Sequence, residues 1–285
     1  MTIRLAIASG KGGTGKTTVA TNLSVALADS GRDVTYVDCD VEEPNGHLFL
    51  NPNIERTIEV EVLFPRIDLT RCTFCGECAK ICESHALAVV SDNVLVFPEL
   101  CSSCGACYHL CPEKAIVEVP KKVGTVSLGS SNGVKFAGGE LDLGVARVPA
   151  VTRASKARAP AAEITIIDAP PGTSCAAVEA ISDSDYVLLV TEPTPFGLND
   201  LKLAVEMVRA MGIAFGVVIN RADVGDSQVL DYCHSESVTD LWIIPEDRRI
   251  AELYSKGELL LSEIEGLEAT LIGLFKSVEG RIGNA

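Results

Sequence analysis

Two runs of cysteine, Cys72-x-x-Cys75-x-x-Cys78-x-x-x-Cys82 and Cys101-x-x-Cys104-x-x-Cys107-x-x-x-Cys111-Pro112, hold eight of the 11 thiols of this 285-residue chain. Three thiolates at two-residue spacing can wrap one iron–sulfur cube, and the fourth cysteine of each run then serves the other cube. On that rule Cys72, Cys75, Cys78 and Cys111 form one [4Fe–4S] ligand set, and Cys101, Cys104, Cys107 and Cys82 the second. A pair of zinc sites is the alternative, but zinc modules usually present separate two-cysteine knuckles rather than three cysteines in one tight run. A second signal stands near the N-terminus. Gly10-Lys11-Gly12-Gly13-Thr14-Gly15-Lys16-Thr17 fits the phosphate-loop pattern, followed by Thr18. Its glycines let backbone N–H groups converge on phosphate oxygens, Lys16 reaches the β- and γ-phosphates, and the Thr17 hydroxyl meets Mg²⁺.

These residues need a scaffold. Residues 3–8 read as a buried strand that ends in the glycine-rich turn, Thr17 to Asp29 has helical spacing with Gly31 as its stop, and Val34 to Val37 is a second strand running into Asp38. Strand, helix, strand at this spacing implies a parallel sheet. The rhythm breaks between Pro65 and Val119, where short β-like pieces (86–90, 94–97, 115–119) separate the cysteines, and residues 120–148 read as strands or hairpins. It resumes with strands at 163–167, 186–191, 215–219 and 241–244, and with helices near 174–182, 198–211, 227–235, 247–255 and 262–281. The expected division is therefore a discontinuous domain of residues 1–64 and 120–285, interrupted by an insertion of residues 65–119.

Composition narrows the function. A net charge of −15 argues against a general nucleic-acid binder, which needs clustered Lys and Arg on phosphates. No apolar run is long enough to span a bilayer, and no basic segment with a cleavage site opens the chain, so the expectation is a cytoplasmic protein. Cytosolic thiols stay reduced, which points the cysteines to metal rather than disulfides.

The run Lys-Gly-Gly-x-Gly-Lys-Thr-Thr, with its early Lys11, resembles the deviant Walker A motif of the MinD/ParA/nitrogenase-iron-protein class of ATPases. That resemblance implies a SIMIBI-type P-loop NTPase fold, α/β with a mostly parallel sheet, in which two subunits sandwich two ATP molecules and Lys11 reaches the partner's phosphates. Val37-Asp38-Cys39-Asp40 resembles the first switch of the family, which gives Asp40 water activation and a place near Mg²⁺, Asp38 a supporting role, and Asn45 nucleotide sensing. Ile166-Ile167-Asp168-Ala169-Pro170-Pro171-Gly172-Thr173 resembles the Walker B strand and second switch, with Asp168 holding Mg²⁺ through water. Asn220-Arg221 resembles the adenine-contacting pair, and Ile244-Pro245-Glu246-Asp247 the loop that closes over the base. The resemblance covers most of residues 1–60 and 160–260.

The insertion resembles a bacterial two-[4Fe–4S] ferredoxin, an α+β domain, with Gly76 and Gly105 after the second cysteine of each run and Glu83 where a proline usually follows the fourth. Of the other cysteines, Cys39 and Cys233 read as core. Cys175 follows the second switch, where the nitrogenase iron protein has a cluster-bridging cysteine, but the second cysteine that protein uses has no counterpart in residues 112–167. The whole resembles MinD-superfamily ATPases that carry a ferredoxin domain. It implies an ATPase with ATP, Mg²⁺ and two [4Fe–4S] clusters as cofactors, coupling a nucleotide-driven dimer (homo- or heterodimer with a related ATPase) to electron transfer through the clusters, with a redox or iron–sulfur protein as partner. An iron–sulfur carrier ATPase and a MinD/ParA-like positioning ATPase are the alternatives. The C-terminal stretch 267–282 is amphipathic but carries only Lys276 and Arg281 as bases, so it is expected to pack on the body rather than on a membrane.

Overall fold

The computed structural model describes residues 2–283. In chain order the elements are β1 (Ile3–Ala8), α1 (Lys16–Asp29), β2 (Val34–Asp38), α2 (Gly46–Leu50), β3 (Asn53–Ile67), α3 (Glu77–Lys80), β4 (Leu87–Val90), β5 (Asn93–Val96), α4 (Ala106–Leu110), β6 (Ile116–Ser131), β7 (Val134–Leu141), α5 (Val148–Arg158), β8 (Ile164–Asp168), α6 (Cys175–Ile181), β9 (Tyr186–Thr191), α7 (Pro195–Ala210), β10 (Ala214–Asn220), α8 (Gln228–Ser235), β11 (Leu241–Ile244), α9 (Arg248–Lys256) and α10 (Leu267–Ile282).

One nine-stranded sheet has the order β11-β10-β9-β1-β8-β2-β7-β6-β3. From β11 to β7 every pairing is parallel, whereas β7–β6 and β6–β3 are antiparallel. The interior strand β1 is buried on both faces, as a parallel strand covered by helices must be. Its side chains alternate: Leu5 and Ile7 join the core under α1 and α10, while Ala6 and Ala8 join the core on the opposite face with residues of α6, α7 and α8. The amphipathic stretch at the C-terminus buries Leu271, Leu274, Phe275 and Val278 in the first of these cores, as expected. Among the described residues no helix is long and apolar enough to cross a membrane.

The antiparallel edge carries the cysteine segment. Residues Gly124–Ser131 of β6 pair with β7, but residues 116–122 pair with β3 alone. The two strands therefore leave the sheet as a ribbon, with Ile67 opposite Ile116 at its far end, and residues 68–115 lie between those ends. The long β3 and the helix α5 were not anticipated. The hairpin expected in residues 120–148 turns at Asn132-Gly133, both with positive φ, the two-residue geometry that matches strand twist.

Candidate functional site

The parallel register lines up the chemistry. Asp38 at the end of β2 sits beside Asp168 at the end of β8, and Ile7 of β1 pairs with Asp168 on its other side. The loop from β1 into α1 thus emerges where strand order diverges, the usual ligand crevice of an open α/β sheet. Gly13 and Gly15 have φ of 79° and 97°, backbone that L side chains rarely adopt, and a Cβ on Gly15 would meet the Asn220 amide nitrogen at 2.6 Å. That amide donates to the Thr14 carbonyl at 2.9 Å, pinning the loop to the end of β10.

A cavity of about 270 Å³ opens above the loop. Gly12, Gly13, Gly15, Lys16, Thr17 and Thr18 form its floor, and Asp40, Asn45 and Pro171 stand on its walls. Asn220, Arg221, Pro245 and Glu246 close the far side. The structure thus brings together most of the residues expected to touch nucleotide. Gly10 instead packs against the backbone of Asp200, and Lys11 lies outside the cavity, 3.7 Å from the Glu192 carboxylate. The same carboxylate holds Arg221 at 3.0 Å, and Arg221 also reaches Glu246 at 3.2 Å. Asp247 of the expected base loop lines it too, and Ile250, Ala251 and Tyr254 of α9, with Glu43, complete the lining and were not expected there.

Beneath the cavity lie the acids. Asp38 is fully buried and accepts the Asp40 N–H at 3.1 Å and the Gly46 N–H at 2.9 Å, so it clamps the loop between β2 and α2. Burial and then the Asp168 charge push its carboxyl well above the usual range, against those two N–H donors. Asp168 is also raised by burial, with Lys16, Thr17 and Tyr36 pulling it back. Its Oδ2 accepts the Tyr36 hydroxyl at 2.9 Å, while Oδ1 is buried with no partner. An unpartnered buried carboxylate oxygen beside Thr17 is what a hydrated Mg²⁺ requires. Asp40, nearer solvent, is pushed up to about 6 chiefly by burial, with Lys16 opposing and Asp168 adding to the rise.

The cysteine segment repeats itself at an interval of 29 residues, and its backbone follows. Phe74 and Ser103, Gly76 and Gly105, and His85 and Lys114 are all in positive φ at matching places. The N–H groups of Phe74 and Ser103 donate to Cys72 and Cys101 Sγ, both at 3.4 Å, and those of Ala86 and Ala115 to Cys82 and Cys111 Sγ at 3.2 and 3.3 Å. Cys72, Cys75, Cys78 and Cys111 line one small cavity with Phe74, Val89 and Val94. Burial raises the Cys78 thiol, and the neighbouring Cys72, Cys75 and Cys111 add to that rise. In the other group burial pushes Cys107 up to about 11, helped by Cys101 and Cys104, while the Ala106 N–H and the Ser102 hydroxyl lower Cys104. Among the described residues no three His, Cys, Asp or Glu side chains close on a point suited to a single metal ion. Cys39 and Cys233 are fully buried, as expected of core thiols, and Cys175 is exposed.

A mostly parallel α/β fold with a glycine loop after β1 and acids at the ends of β8 and β2 defines a P-loop ATPase. Residues 5–261 match the model of the CobQ/CobB/MinD/ParA nucleotide binding domain, and the chain belongs to that family. It is 32% identical to Uncharacterized protein MJ0579 of Methanocaldococcus jannaschii over 265 residues, covering 90% of this chain and 91% of that one. It is 25% identical to an Iron-sulfur cluster carrier protein of Pyrococcus horikoshii over 277 residues, 89% of this chain and 77% of the other. The septum site-determining protein MinD of Pyrococcus horikoshii, solved with Mg-ADP, has a TM-score of 0.55 at 25% identity, with 98% of this chain and 96% of that one covered.

Proposed function

We propose that this ATPase carries a two-cluster ferredoxin lobe, residues 65–119, on a body of residues 1–64 and 120–285, and that ATP gates electron transfer through the lobe. The observation that carries the reading is the single cavity lined by Cys72, Cys75, Cys78 and Cys111, which joins three thiols of one run to the last thiol of the other. Four thiols spread around a space, with backbone N–H groups aimed at sulfur, suit an iron–sulfur cube better than a lone zinc ion, which needs four donors about 2.3 Å from one point. When bound, such clusters accept and release single electrons at low potential.

On the body, Gly12 to Thr18 hold the phosphates. Lys16 would neutralise the β- and γ-oxygens, and the Thr17 hydroxyl and, through water, the unpartnered Asp168 Oδ1 would hold Mg²⁺. Asp40 orients the attacking water, and Asp38 keeps the Asp40 loop in place. Asn220, Arg221, Pro245 and Glu246 bracket the base. Lys11 leaves Glu192 to reach the partner subunit's phosphates, so γ-phosphate favours the dimer. Coupling then requires only that ATP bind the dimer more tightly than the separated chains. The clusters exchange single electrons with a redox partner protein.

A cluster carrier is the second reading, favoured by relatives named as iron-sulfur cluster carriers at 25–26% identity. The ligand sets weigh against it. Each draws on both cysteine runs, so release would require the two runs to part.

Dithionite-reduced protein, mixed with an oxidised viologen dye, distinguishes the readings. Dye reduction that accelerates with Mg-ATP in the wild type and loses that dependence in Lys16→Ala, at about eight irons per chain in both, is the expected result. Unchanged nucleotide dependence in Lys16→Ala, or Mg-ATP-driven movement of iron into an apo-ferredoxin, overturns it.

A further inference from the structure

The two cysteine sites differ in what they pack against. Val41 follows Asp40 directly, is fully buried, and shares one apolar cluster with Phe64 of β3, Val151 of α5, Ala86 and Cys101. Cys82 packs against the same cluster. None of Cys72, Cys75, Cys78 and Cys111 belongs to it; their cavity is bounded by residues of the ribbon end and of the β4–β5 hairpin. The site of Cys101, Cys104, Cys107 and Cys82 is therefore the inner one, joined by continuous packing to the loop that carries Asp40.

Polar contacts reinforce the joint. The Val41 carbonyl accepts the Leu141 N–H at 2.8 Å, which fixes the loop to the end of β7. Arg147, at the start of α5, lays its guanidinium 5.7 Å from the Phe64 ring and donates to the Pro98 carbonyl at 3.4 Å, three residues before Cys101. Ala86 stands at the critical place. Its methyl is in the apolar cluster with Val41, and its N–H donates to Cys82 Sγ at 3.2 Å. Its counterpart 29 residues on, Ala115, donates to Cys111 but lies outside that cluster.

We propose that the inner cysteine site is the nucleotide-responsive one, and that Val41 is a positioning residue that transmits movement of the Asp40 loop to the N–H···S bonds of Cys82 and Cys101. This rests on the reading that the cysteines hold clusters and that ATP moves the switch loop. A close-packed interior does not absorb a displaced side chain, so its neighbours shift with it. Hydrogen bonds to sulfur and solvent exposure set the potential of a cluster, so small changes at the Ala86 and Ser103 amides are read out as potential. Among the described residues the outer site has no such packing link to Val41, so it is insulated.

The test is an anoxic EPR redox titration without nucleotide, with Mg-ADP and with a non-hydrolysable Mg-ATP analogue. It uses the wild type, Cys72→Ser/Cys75→Ser, which keeps the inner site, and Cys104→Ser/Cys107→Ser, which keeps the outer. The midpoint potential moves with the ATP analogue in the first variant and stays fixed in the second. Val41→Ala abolishes the movement at unchanged iron content and analogue binding, and Val41→Ile restores it. A shift confined to the outer site, or an undiminished shift in Val41→Ala, overturns the proposal while leaving ATP gating standing. A wild type whose potentials ignore nucleotide overturns the gating reading as well. Should a double variant fail to fold, hydrogen exchange on the wild type decides: the Ala86 and Ser103 amides change protection with the analogue and those of Ala115 and Phe74 do not. Equal change at all four amides overturns the proposal.

Discussion

Tyr36 donates its hydroxyl to Oδ2 of Asp168 at 2.9 Å, from a position one strand away and with no solvent exposure. The bond occupies one carboxylate oxygen and leaves the other, Oδ1, buried without a partner. Tyr36→Phe keeps the ring stacked on Phe136 but strands Oδ2 without a donor. Leaving a buried acceptor unpaired costs about 1–3 kcal/mol, visible as a lower denaturant midpoint at unchanged slope. The Mg²⁺ concentration for half-maximal ATP hydrolysis rises several-fold, because the carboxylate is free to rotate. A Mg²⁺ dependence equal to the wild type would show that the hydroxyl serves stability alone.

Glu192 holds two cations that the proposed mechanism must release or retain, Lys11 and Arg221. Partly exposed pairs are worth roughly 0.2–1 kcal/mol each. Glu192→Gln therefore lowers the ATP concentration that drives dimerisation by about 1.4- to 5-fold, by freeing Lys11 in the monomer, while Lys11→Ala prevents the ATP-dependent dimer. Sedimentation velocity against ATP concentration reads both. A Lys11→Ala chain that still dimerises with ATP would place the lysine's function within its own subunit.

The Asp40 carboxyl, raised to about 6 chiefly by burial, makes a charged group unwelcome in the fold at neutral pH. A folded-state pKa above the unfolded one means that its contribution is present below about pH 4 and is lost as pH climbs to about 6. For nucleotide-free, metal-free protein, Asp40→Asn removes that loss and stabilises the chain at pH 7 by about 1–2 kcal/mol, discounted because Asp40 is partly exposed. The same variant hydrolyses ATP at least about 100-fold more slowly, since it cannot orient water through a carboxylate. Urea unfolding at pH 4 and pH 7 gives the sign: the advantage of the variant must appear only at the higher pH.

What the sequence revealed and what it hid follow from periodicity. The phosphate loop, the two aspartates and the eight cysteines announce themselves because their chemistry demands fixed spacings. Tyr36 did not, because in a buried strand a tyrosine reads as one more apolar residue and its hydroxyl partner lies on β8. The helix α5 was missed because its buried face is Val151, Thr152 and Ser155, too polar to print a 3.6-residue apolar stripe. Along β3 the alternation over residues 55–62 was available, but the break in rhythm was placed at Pro65, and a proline is tolerated on that strand because it forms the sheet edge. The walls contributed by Ile250, Ala251 and Tyr254 belong to tertiary docking of α9, which no local pattern encodes.

The grouping of thiols makes the last prediction. Cys111 ends the second cysteine run yet lines the cavity of the first, with Cys72, Cys75 and Cys78. On the proposed ligand sets, Cys111→Ala removes the outer cluster and leaves the inner, so iron falls from about eight to about four per chain and one of two [4Fe–4S] EPR signals disappears. The remaining signal matches that of Cys72→Ser/Cys75→Ser rather than that of Cys104→Ser/Cys107→Ser. Cys233→Ala, at a fully buried thiol remote from both runs, leaves iron unchanged and costs only the stability of a small core truncation, about 1 kcal/mol. If Cys111→Ala instead erased the signal that Cys104→Ser/Cys107→Ser erases, each run would bind its own cluster with all four of its cysteines, and the crossed ligand sets would be wrong.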